Sequence, residues 1–164
     1  MIKFSMIDYV VMSNMKYSVS KLKDEELRNL LVSVSLEWEK RFAVAPHITS
    51  DIAEYDAARI VGTSLEVGKG RTKSDTAVMK GYDFWKKNER FQVKSNRPSG
   101  KPGSKVTLVG KASNFNWDKL VWILYNRDYV IQEAWEFEVD YYKKLFEIKK
   151  RLSPKDMRQG NKIF

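Results

Sequence analysis

The sequence predicts an α/β fold, in which helices and strands form packed layers around one core. Two observations carry this prediction. Apolar residues recur at helical spacing towards both ends of the chain, and short runs rich in aromatic and β-branched residues occupy its centre. The length of 164 residues suits one compact domain. We expect a single domain over residues 1–164, with a helical N-terminal region over residues 1–62, a sheet with basic loops over 63–135, and a C-terminal helix and tail over 136–164.

Two helices are expected before the sheet. Between Lys23 and Phe42, apolar residues follow the spacing i, i+3, i+4, i+7, and the acidic residues at its start favour the positive end of the helix dipole. The pattern predicts that the apolar stripe is core: Leu27, Leu30, Leu31, Val34, Trp38 and Phe42. A second helix is expected from about Ile52 to Val61, ended by Gly62. Glu54 lies beside its apolar side.

The centre of the chain predicts a β-hairpin. Residues 82–85 and 90–94 are rich in aromatic and β-branched side chains, and a polar, turn-like tetrapeptide separates them. The flanking segments 68–80 and 95–110 contain glycine and serine without a periodic apolar pattern, which indicates loops. One short strand is expected at 106–109.

The last third of the chain predicts two strands and a helix. The apolar run 119–125 is typical of a buried strand, and a turn at 126–128 leads into a further strand over 129–134. Apolar residues at helical spacing then indicate a C-terminal helix: Phe137, Tyr141, Leu145, Ile148 and Leu152. Helices before and after a set of strands indicate a mixed α/β layer arrangement.

Composition narrows the classes of function. The chain has no cysteine, which excludes disulfides, thiol nucleophiles and cysteine-ligated zinc. Its first residues have no signal-peptide pattern, and no apolar run approaches the roughly 20 residues that a membrane-spanning helix needs. We expect a soluble, cytoplasmic protein without a membrane partner.

The net charge of +9 is confined to one segment of the chain. Residues 68–111 contain twelve lysines and arginines and three acidic residues, whereas the rest of the chain has eighteen of each sign. A localised basic face is typical of a protein that binds a polyanion, and nucleic acid is the expected partner. The alternative is a lysine-rich loop region that serves solubility.

Three polar side chains of the predicted hairpin are candidates for a catalytic centre: Asp83, Gln92 and Lys94. Positions two apart on a strand share a face, so Gln92 and Lys94 project together, and Asp83 lies on the neighbouring strand. Carboxylate and carboxamide oxygens suit Mg²⁺, and the backbone carbonyl of Val93 is a further candidate ligand. Lys94 would orient the nucleophile and offset the charge on the scissile phosphate. The alternative is an exposed hairpin face with an ordinary lysine–carboxylate pair.

These residues resemble the motif of the PD-(D/E)xK nuclease superfamily, in particular its small type II restriction endonucleases. Tyr82-Asp83 is followed by Phe91-Gln92-Val93-Lys94-Ser95, and an earlier helix carries Glu54. That superfamily pairs an aspartate near the start of one strand with Glu-x-Lys or Gln-x-Lys on the next. The present sequence has the Gln form and lacks a proline before Asp83. The resemblance extends from about residue 50 to the C-terminus.

The resemblance implies a restriction-endonuclease-like core, with a central mixed β-sheet flanked by helices, and frequent homodimers. It also implies a DNA endonuclease that hydrolyses phosphodiester bonds with Mg²⁺, for which Mn²⁺ would substitute. The catalytic residues would be Asp83, Gln92, Lys94 and Glu54, and the metal ligands Asp83, Gln92, Val93 and Glu54. Because glutamine replaces the usual acid, the alternative is a non-catalytic DNA-binding module with a weakened metal site.

The loops on either side of the predicted centre supply candidate DNA contacts. Their basic and hydroxyl side chains would bind backbone phosphates, while Asn96 and Arg97 suit contacts to adenine and guanine. The expected DNA-binding residues are Lys69, Arg71, Lys73, Ser95, Asn96, Arg97, Lys101, Lys105 and Lys111.

Overall fold

The structure is a computed structural model that describes residues 19–65, 81–99, 101 and 103–164. The chain divides into two compact units, Met1–Val44 and Ala45–Phe164, and the sheet lies in the second. Within the described residues, no helix has the length and apolar character needed to cross a membrane. The predicted loop 68–80 lies outside the described residues.

The first unit contains helix α1, Asp24–Phe42, as the sequence predicts. Acidic residues occupy its first turn and basic residues its last, so that both ends complement the helix dipole. The prediction that its apolar stripe is core is wrong, because Leu27, Trp38 and Phe42 are 44%, 50% and 57% exposed. Helical periodicity shows that one side of a helix is apolar, but it does not supply an element that covers that side.

The second unit is built on a mixed sheet of five strands in the order β1-β2-β3-β4-β5. The strands are β1 Phe84–Lys86, β2 Glu89–Asn96, β3 Lys119–Tyr125, β4 Ile131–Glu138 and β5 Asn161–Lys162. The β2–β3 pair is parallel, and the other three pairs are antiparallel. With helices packed on it, this sheet confirms the predicted α/β class with a central mixed sheet.

The predicted hairpin is confirmed as the β1–β2 pair. Phe84 lies opposite Phe91, and their rings stack with centroids 5.0 Å apart. The turn is closed by Lys87, whose φ is 55°. Because this pairing fixes the register, the residue before β1, Asp83, comes next to Gln92.

The predicted strand at 106–109 is not formed. That segment makes one isolated bridge, between Val109 and Leu152, and its other residues pair with no strand of the described chain. β-branched residues give this segment strand propensity, but propensity forms a strand only where a partner edge is in reach.

The C-terminal helix is shorter than predicted. Strand β4 continues to Glu138 because it pairs with β3 throughout, with Phe137 opposite Leu120. Helix α3 therefore spans Val139–Phe146, and Ile148, expected on its apolar side, is 96% exposed. Phe137 is buried as a strand residue, which its spacing alone does not distinguish from a helical one.

Helix α2, Thr49–Ile60, covers one face of the sheet, and the prediction of a helix here is confirmed. At its start, the Ser95 hydroxyl lies 3.4 Å from the backbone carbonyl oxygen of Thr49. Beyond its end, the ammonium group of Lys86 donates a hydrogen bond to the carbonyl oxygen of Val61. The helix thus runs along β2, from the end of that strand back towards β1.

The opposite face is covered by α3 and the C-terminal segment. The core on this side is aromatic and aliphatic, and it consists mainly of Leu120, Trp122, Phe137, Tyr142, Phe146, Leu152 and Met157. A short helix α4, Pro154–Met157, leads through Gly160 into β5, which pairs with β4. A Cβ atom at Gly160 would lie 2.7 Å from the carbonyl oxygen of Glu136, so this close approach requires glycine.

Candidate active site

The edge of β2 beside β1 is open over part of its length. Strand β1 begins at Phe84, opposite Phe91, and the N–H of Asp83 donates to the Phe91 carbonyl oxygen at 2.7 Å. In a strand, the N–H and C=O groups of alternate residues face the same neighbour, so those of Val93 face the same side as those of Phe91. Because β1 does not extend that far, the backbone of Val93 is left for side chains to bind.

The Asp83 carboxylate fills this open edge. Its Oδ2 atom accepts two hydrogen bonds of 2.5 Å, one from the Val93 N–H and one from the Gln92 side-chain Nε2. The same Nε2 atom donates to the Val93 carbonyl oxygen at 3.2 Å. The structure therefore brings a carboxylate, a carboxamide and a main-chain carbonyl together, as the sequence predicts for Asp83, Gln92 and Val93.

Gly81 brings the chain to Asp83, and sequence reasoning missed it. Its φ is 108°, a backbone conformation that residues with a side chain rarely adopt. A Cβ atom here would also lie 2.5 Å from the Asn114 side-chain oxygen. The signal available in the sequence was a glycine directly before a predicted strand, which indicates a close backbone approach.

Lys94 lies two residues beyond Gln92 on the same face of β2. It pairs in parallel register with Trp122 and is half-buried. In the part of the chain that the structure describes, its ammonium group forms no ion pair or hydrogen bond. Among the described residues, the fold therefore does not neutralise this ammonium charge.

Glu54 lies on α2, the helix that covers the face of the sheet opposite to Gln92 and Lys94. Thr49, at the start of α2, lies beside Ser95 of β2. Glu54 follows Thr49 by five residues, or roughly 7.5 Å along the helix, and so lies at about the level of Val93 on β2. It is half-buried. Glu54 therefore lies level with Val93 along β2, but on the other face of the sheet. Its part in metal binding stays a prediction.

The open edge of β2 offers a carboxylate and a carbonyl oxygen, which are the ligand types that a hard divalent cation binds. The Asp83 carboxylate and the Val93 carbonyl both lie within hydrogen-bond distance of Gln92 Nε2, so a donor group already occupies the space between them. Mg²⁺ takes one or two carboxylates from a protein and completes its shell with neutral oxygens and water. No group of three or more acidic, histidine or cysteine side chains suited to a metal occurs among the described residues. Metal binding here would thus depend on the neutral oxygens of Gln92 and Val93.

Two of the predicted DNA contacts, Asn96 and Arg97, serve the fold itself. The Asn96 side chain accepts a hydrogen bond from the Trp122 indole N–H at 2.9 Å and donates one to the Leu108 carbonyl oxygen at 3.1 Å. Arg97 donates from Nε to the carbonyl oxygen of Arg127 at 2.6 Å, and its guanidinium group lies 4.5 Å from the centre of the Tyr129 ring. Both side chains hold the end of β2 to its neighbours.

The remaining predicted contacts differ in their surroundings. Lys111 donates to two carbonyl oxygens beyond the end of α3, at 2.6 and 3.1 Å, and so caps that helix. Lys101 and Lys105 are exposed, and Ser95 bonds weakly to α2. The other three residues lie outside the described part of the chain: Lys69, Arg71 and Lys73.

Comparison with known proteins assigns this chain to no family. No protein-family model matches the chain, and none of the curated proteins matches it either. The residues at the open edge of β2 and the charges around them are therefore the features that indicate a function.

Proposed function

We propose that this protein is a divalent-metal-dependent DNA endonuclease with a restriction-endonuclease-like core. The observation that carries the proposal is the convergence of the Asp83 carboxylate, the Gln92 carboxamide and the Val93 carbonyl at the open edge of β2. Lys94, on the same face as Gln92, adds an unpaired ammonium group within the described chain. This set of groups is the one that the resemblance to the PD-(D/E)xK superfamily implies.

Each group has a chemical task in phosphodiester hydrolysis. Asp83, Gln92 and Val93 would hold Mg²⁺ or Mn²⁺, with Glu54 as a further candidate ligand. When bound, the ion supplies positive charge to the phosphate oxygens and helps to activate the attacking water. The Lys94 ammonium would bind the scissile phosphate and stabilise the negative charge that builds up during attack. A restriction-type cut of both DNA strands needs two such sites, which is the reason to propose a homodimer.

Cleavage of plasmid DNA in the presence of Mg²⁺ or Mn²⁺ tests this proposal. We expect Asp83→Ala and Lys94→Ala each to reduce the rate by about 100- to 1000-fold, since each removes a group that stabilises charge in the transition state. Lys87→Ala is the matched control, because Lys87 is exposed, lies in the β1–β2 turn and has no side-chain partner among the described residues. Cleavage by both active-site variants at the wild-type rate would refute the proposal.

A second candidate function is a DNA-binding module that does not cut. The Gln92 side chain favours it, because its amide nitrogen, rather than its oxygen, faces Asp83 at 2.5 Å. In this arrangement the amide satisfies the carboxylate without a cation. Salt-sensitive DNA binding with no cleavage in either metal would establish this second function and exclude the first.

A further inference from the structure

A cleft of about 620 Å³ opens at the end of β3, apart from the residues of the candidate active site. Leu124 and Asn126 line it from the sheet side, the segment 104–107 forms a second wall, and the first residues of α4 form the third. Its volume lies within the range of about 300–1,000 Å³ that is usual for ligand sites. The cleft is therefore large enough to hold a nucleotide.

The cleft lies on the same face of the sheet as the candidate active site. Leu124 pairs with Asn96, and Trp122 pairs with Lys94, so both pairs project to one side. Two residues of strand separate them, which is about 7 Å. A DNA strand bound at Lys94 would thus have the cleft directly beyond it.

The rim of the cleft is positively charged. Lys105 and Lys155 are exposed and have no ion pair in the described part of the chain. Arg158 also lines the cleft, but Glu133 holds it with contacts of 2.6 to 3.1 Å. Among the described residues that line the cleft, none is acidic. This charge suits an anionic ligand such as a phosphodiester.

The interior of the cleft combines apolar walls with side-chain amide groups. Pro98, Val106, Leu124 and Pro154 supply much of the apolar surface. Two amide side chains, those of Asn126 and Gln132, also line the cleft. Apolar walls with a few polar groups are typical of pockets that hold a nucleobase outside the base stack.

The two amide groups leave one donor and one acceptor for a ligand. The Asn126 oxygen accepts the N–H groups of Asp128 and Val130 at 2.8 and 2.9 Å, so its amide nitrogen has no partner among the described residues. The Gln132 nitrogen donates to the Val130 carbonyl at 3.2 Å, which leaves its oxygen as an acceptor. Amide side chains of this kind form hydrogen bonds with base edges.

From these observations we infer that the cleft binds one unpaired nucleotide of a DNA strand. Its base lies between the apolar walls, where Asn126 and Gln132 contact the base edge, and its phosphate binds Lys105 and Lys155. This inference rests on the proposed function in one respect, namely that DNA is the ligand. It does not depend on cleavage, because binding in the cleft involves neither the metal nor Lys94.

Binding experiments with the whole protein in EDTA test the inference without cleavage. The probes are a labelled duplex and the same duplex with one unpaired 2-aminopurine, a fluorescent adenine analogue. We expect the unpaired nucleotide to tighten binding by about tenfold, which corresponds to about 1.4 kcal/mol. We also expect 2-aminopurine fluorescence to rise, because the base leaves the stack for the cleft. Equal affinity for the two duplexes would overturn the inference.

One pair of variants tests whether the preference for the unpaired nucleotide arises in the cleft. Thr107→Trp fills the cleft without changing charge, and Leu108→Trp places the same side chain at the next residue, which is 55% exposed and does not line the cleft. We expect Thr107→Trp to abolish the preference for the unpaired nucleotide and Leu108→Trp to keep it. An unchanged preference in Thr107→Trp, with a wild-type unfolding transition, would overturn the inference.

The charged rim is tested by its salt dependence. We expect the double variant Lys105→Ala/Lys155→Ala to reduce the slope of log affinity against log salt concentration by about 0.7, which corresponds to the loss of one single-strand phosphate contact. Lys144→Ala/Lys150→Ala removes two exposed lysines outside the cleft and is the matched control. A slope reduced equally in both double variants would show that the rim lysines have no special role, and would overturn their assignment.

The remaining outcomes separate this inference from the proposed function. Free deoxyadenosine monophosphate that displaces the labelled duplex at equal concentration would show a pocket for free nucleotides and would overturn binding of a DNA strand. A retained preference for the unpaired nucleotide, with no cleavage in Mg²⁺ or Mn²⁺, would support the cleft and exclude the nuclease. Absence of binding to any DNA at low salt would exclude both.

Discussion

Gln92 is the residue of the candidate active site whose side chain bears most directly on the proposed metal binding. It is 8% exposed, and its amide nitrogen bridges the Asp83 carboxylate and the Val93 carbonyl. A glutamate in its place would put two carboxylates within hydrogen-bond distance, where repulsion disfavours ionisation of both unless a cation lies between them. Glutamine thus stabilises the site in the absence of metal. Compared with glutamate, it leaves the site with one negative charge fewer to bind a cation.

The variant Gln92→Glu tests this balance. In EDTA we expect it to unfold at a lower temperature than the wild type, because its carboxylate faces that of Asp83. We expect Mg²⁺ to stabilise the variant more than it stabilises the wild type. The metal affinity of the variant should be higher by about tenfold or more, since the added charge binds the cation directly. Thermal unfolding with and without metal, together with metal titration by calorimetry, measures both effects.

Gln159→Glu is the control for that experiment. It makes the same change at an exposed position of the C-terminal segment, away from the sheet edge that carries Asp83. Its metal response should equal that of the wild type. A Gln92→Glu variant whose stability responds to Mg²⁺ no more than that of Gln159→Glu would show that this edge does not bind the ion.

Among the elements, the parallel pair β2–β3 has a polar clamp at its start, formed by Arg90 and Asp118. The Arg90 guanidinium group binds both carboxylate oxygens of Asp118, at 3.0 and 2.9 Å. The Arg90 N–H also donates to Asp118 at 2.8 Å, and the Asp118 N–H donates to the Arg90 carbonyl oxygen at 2.9 Å. Because β2 and β3 are joined by the long segment 97–118, this clamp helps to fix their register where no tight turn does so.

The clamp predicts a pH dependence of stability. The hydrogen bond from the Arg90 side chain, followed by that from its backbone, lowers the pKa of Asp118 from 3.8 to about 2. A lowered carboxyl pKa contributes stability above the unfolded-state pKa, and this contribution is lost as the pH falls towards the folded-state pKa. We expect Asp118→Asn to be less stable than the wild type at pH 7, with the difference constant down to about pH 4 and shrinking between pH 4 and pH 2.

Urea denaturation at several pH values measures that difference. Asp128→Asn serves as the control, because Asp128 is exposed in the turn before β4 and its removal changes the net charge equally. The effect is expected to be small, since the Asp118 side chain is 39% exposed and solvent screens the pair. A difference between Asp118→Asn and the wild type that persists unchanged at pH 2 would contradict the assignment.

For the whole molecule, the basic segment (residues 68–111) divides into cations that bind other parts of the fold and cations that have no partner among the described residues. Four of the described ones bind other parts of the chain: Lys86, Arg90, Arg97 and Lys111. Another four have side chains without a partner within the described residues: Lys87, Lys94, Lys101 and Lys105. The formal charge of this segment therefore overstates the charge that remains available to an anionic ligand.

This division predicts opposite effects for two lysines of the same segment. Lys111→Ala should lower the free energy of unfolding by about 0.5–1 kcal/mol, because the side chain caps the end of α3, and should change DNA affinity little. Lys101→Ala should leave stability unchanged and weaken DNA binding in a salt-dependent manner. Chemical denaturation and fluorescence anisotropy on the same two variants measure these effects. Equal DNA affinity in both variants would contradict the division.

Local pattern was enough to predict several features of this protein. The helices α1 and α2, the β1–β2 hairpin and the buried strand β3 follow from apolar periodicity and strand propensity, which depend on neighbouring residues. The meeting of Asp83 with Gln92 follows for the same reason, because a short hairpin brings its two strands together.

The tertiary structure decided the features that depend on residues distant in the sequence. Pairing with β3 extended β4 to Glu138, and the packing of α2 placed Glu54 on the face opposite to Lys94. Asn96 is bonded within the fold because Trp122 lies beside it on the parallel strand. A sequence shows which side chains are able to bind a metal or DNA, but the strand order determines which of them the fold itself uses, since that order brings distant residues into contact.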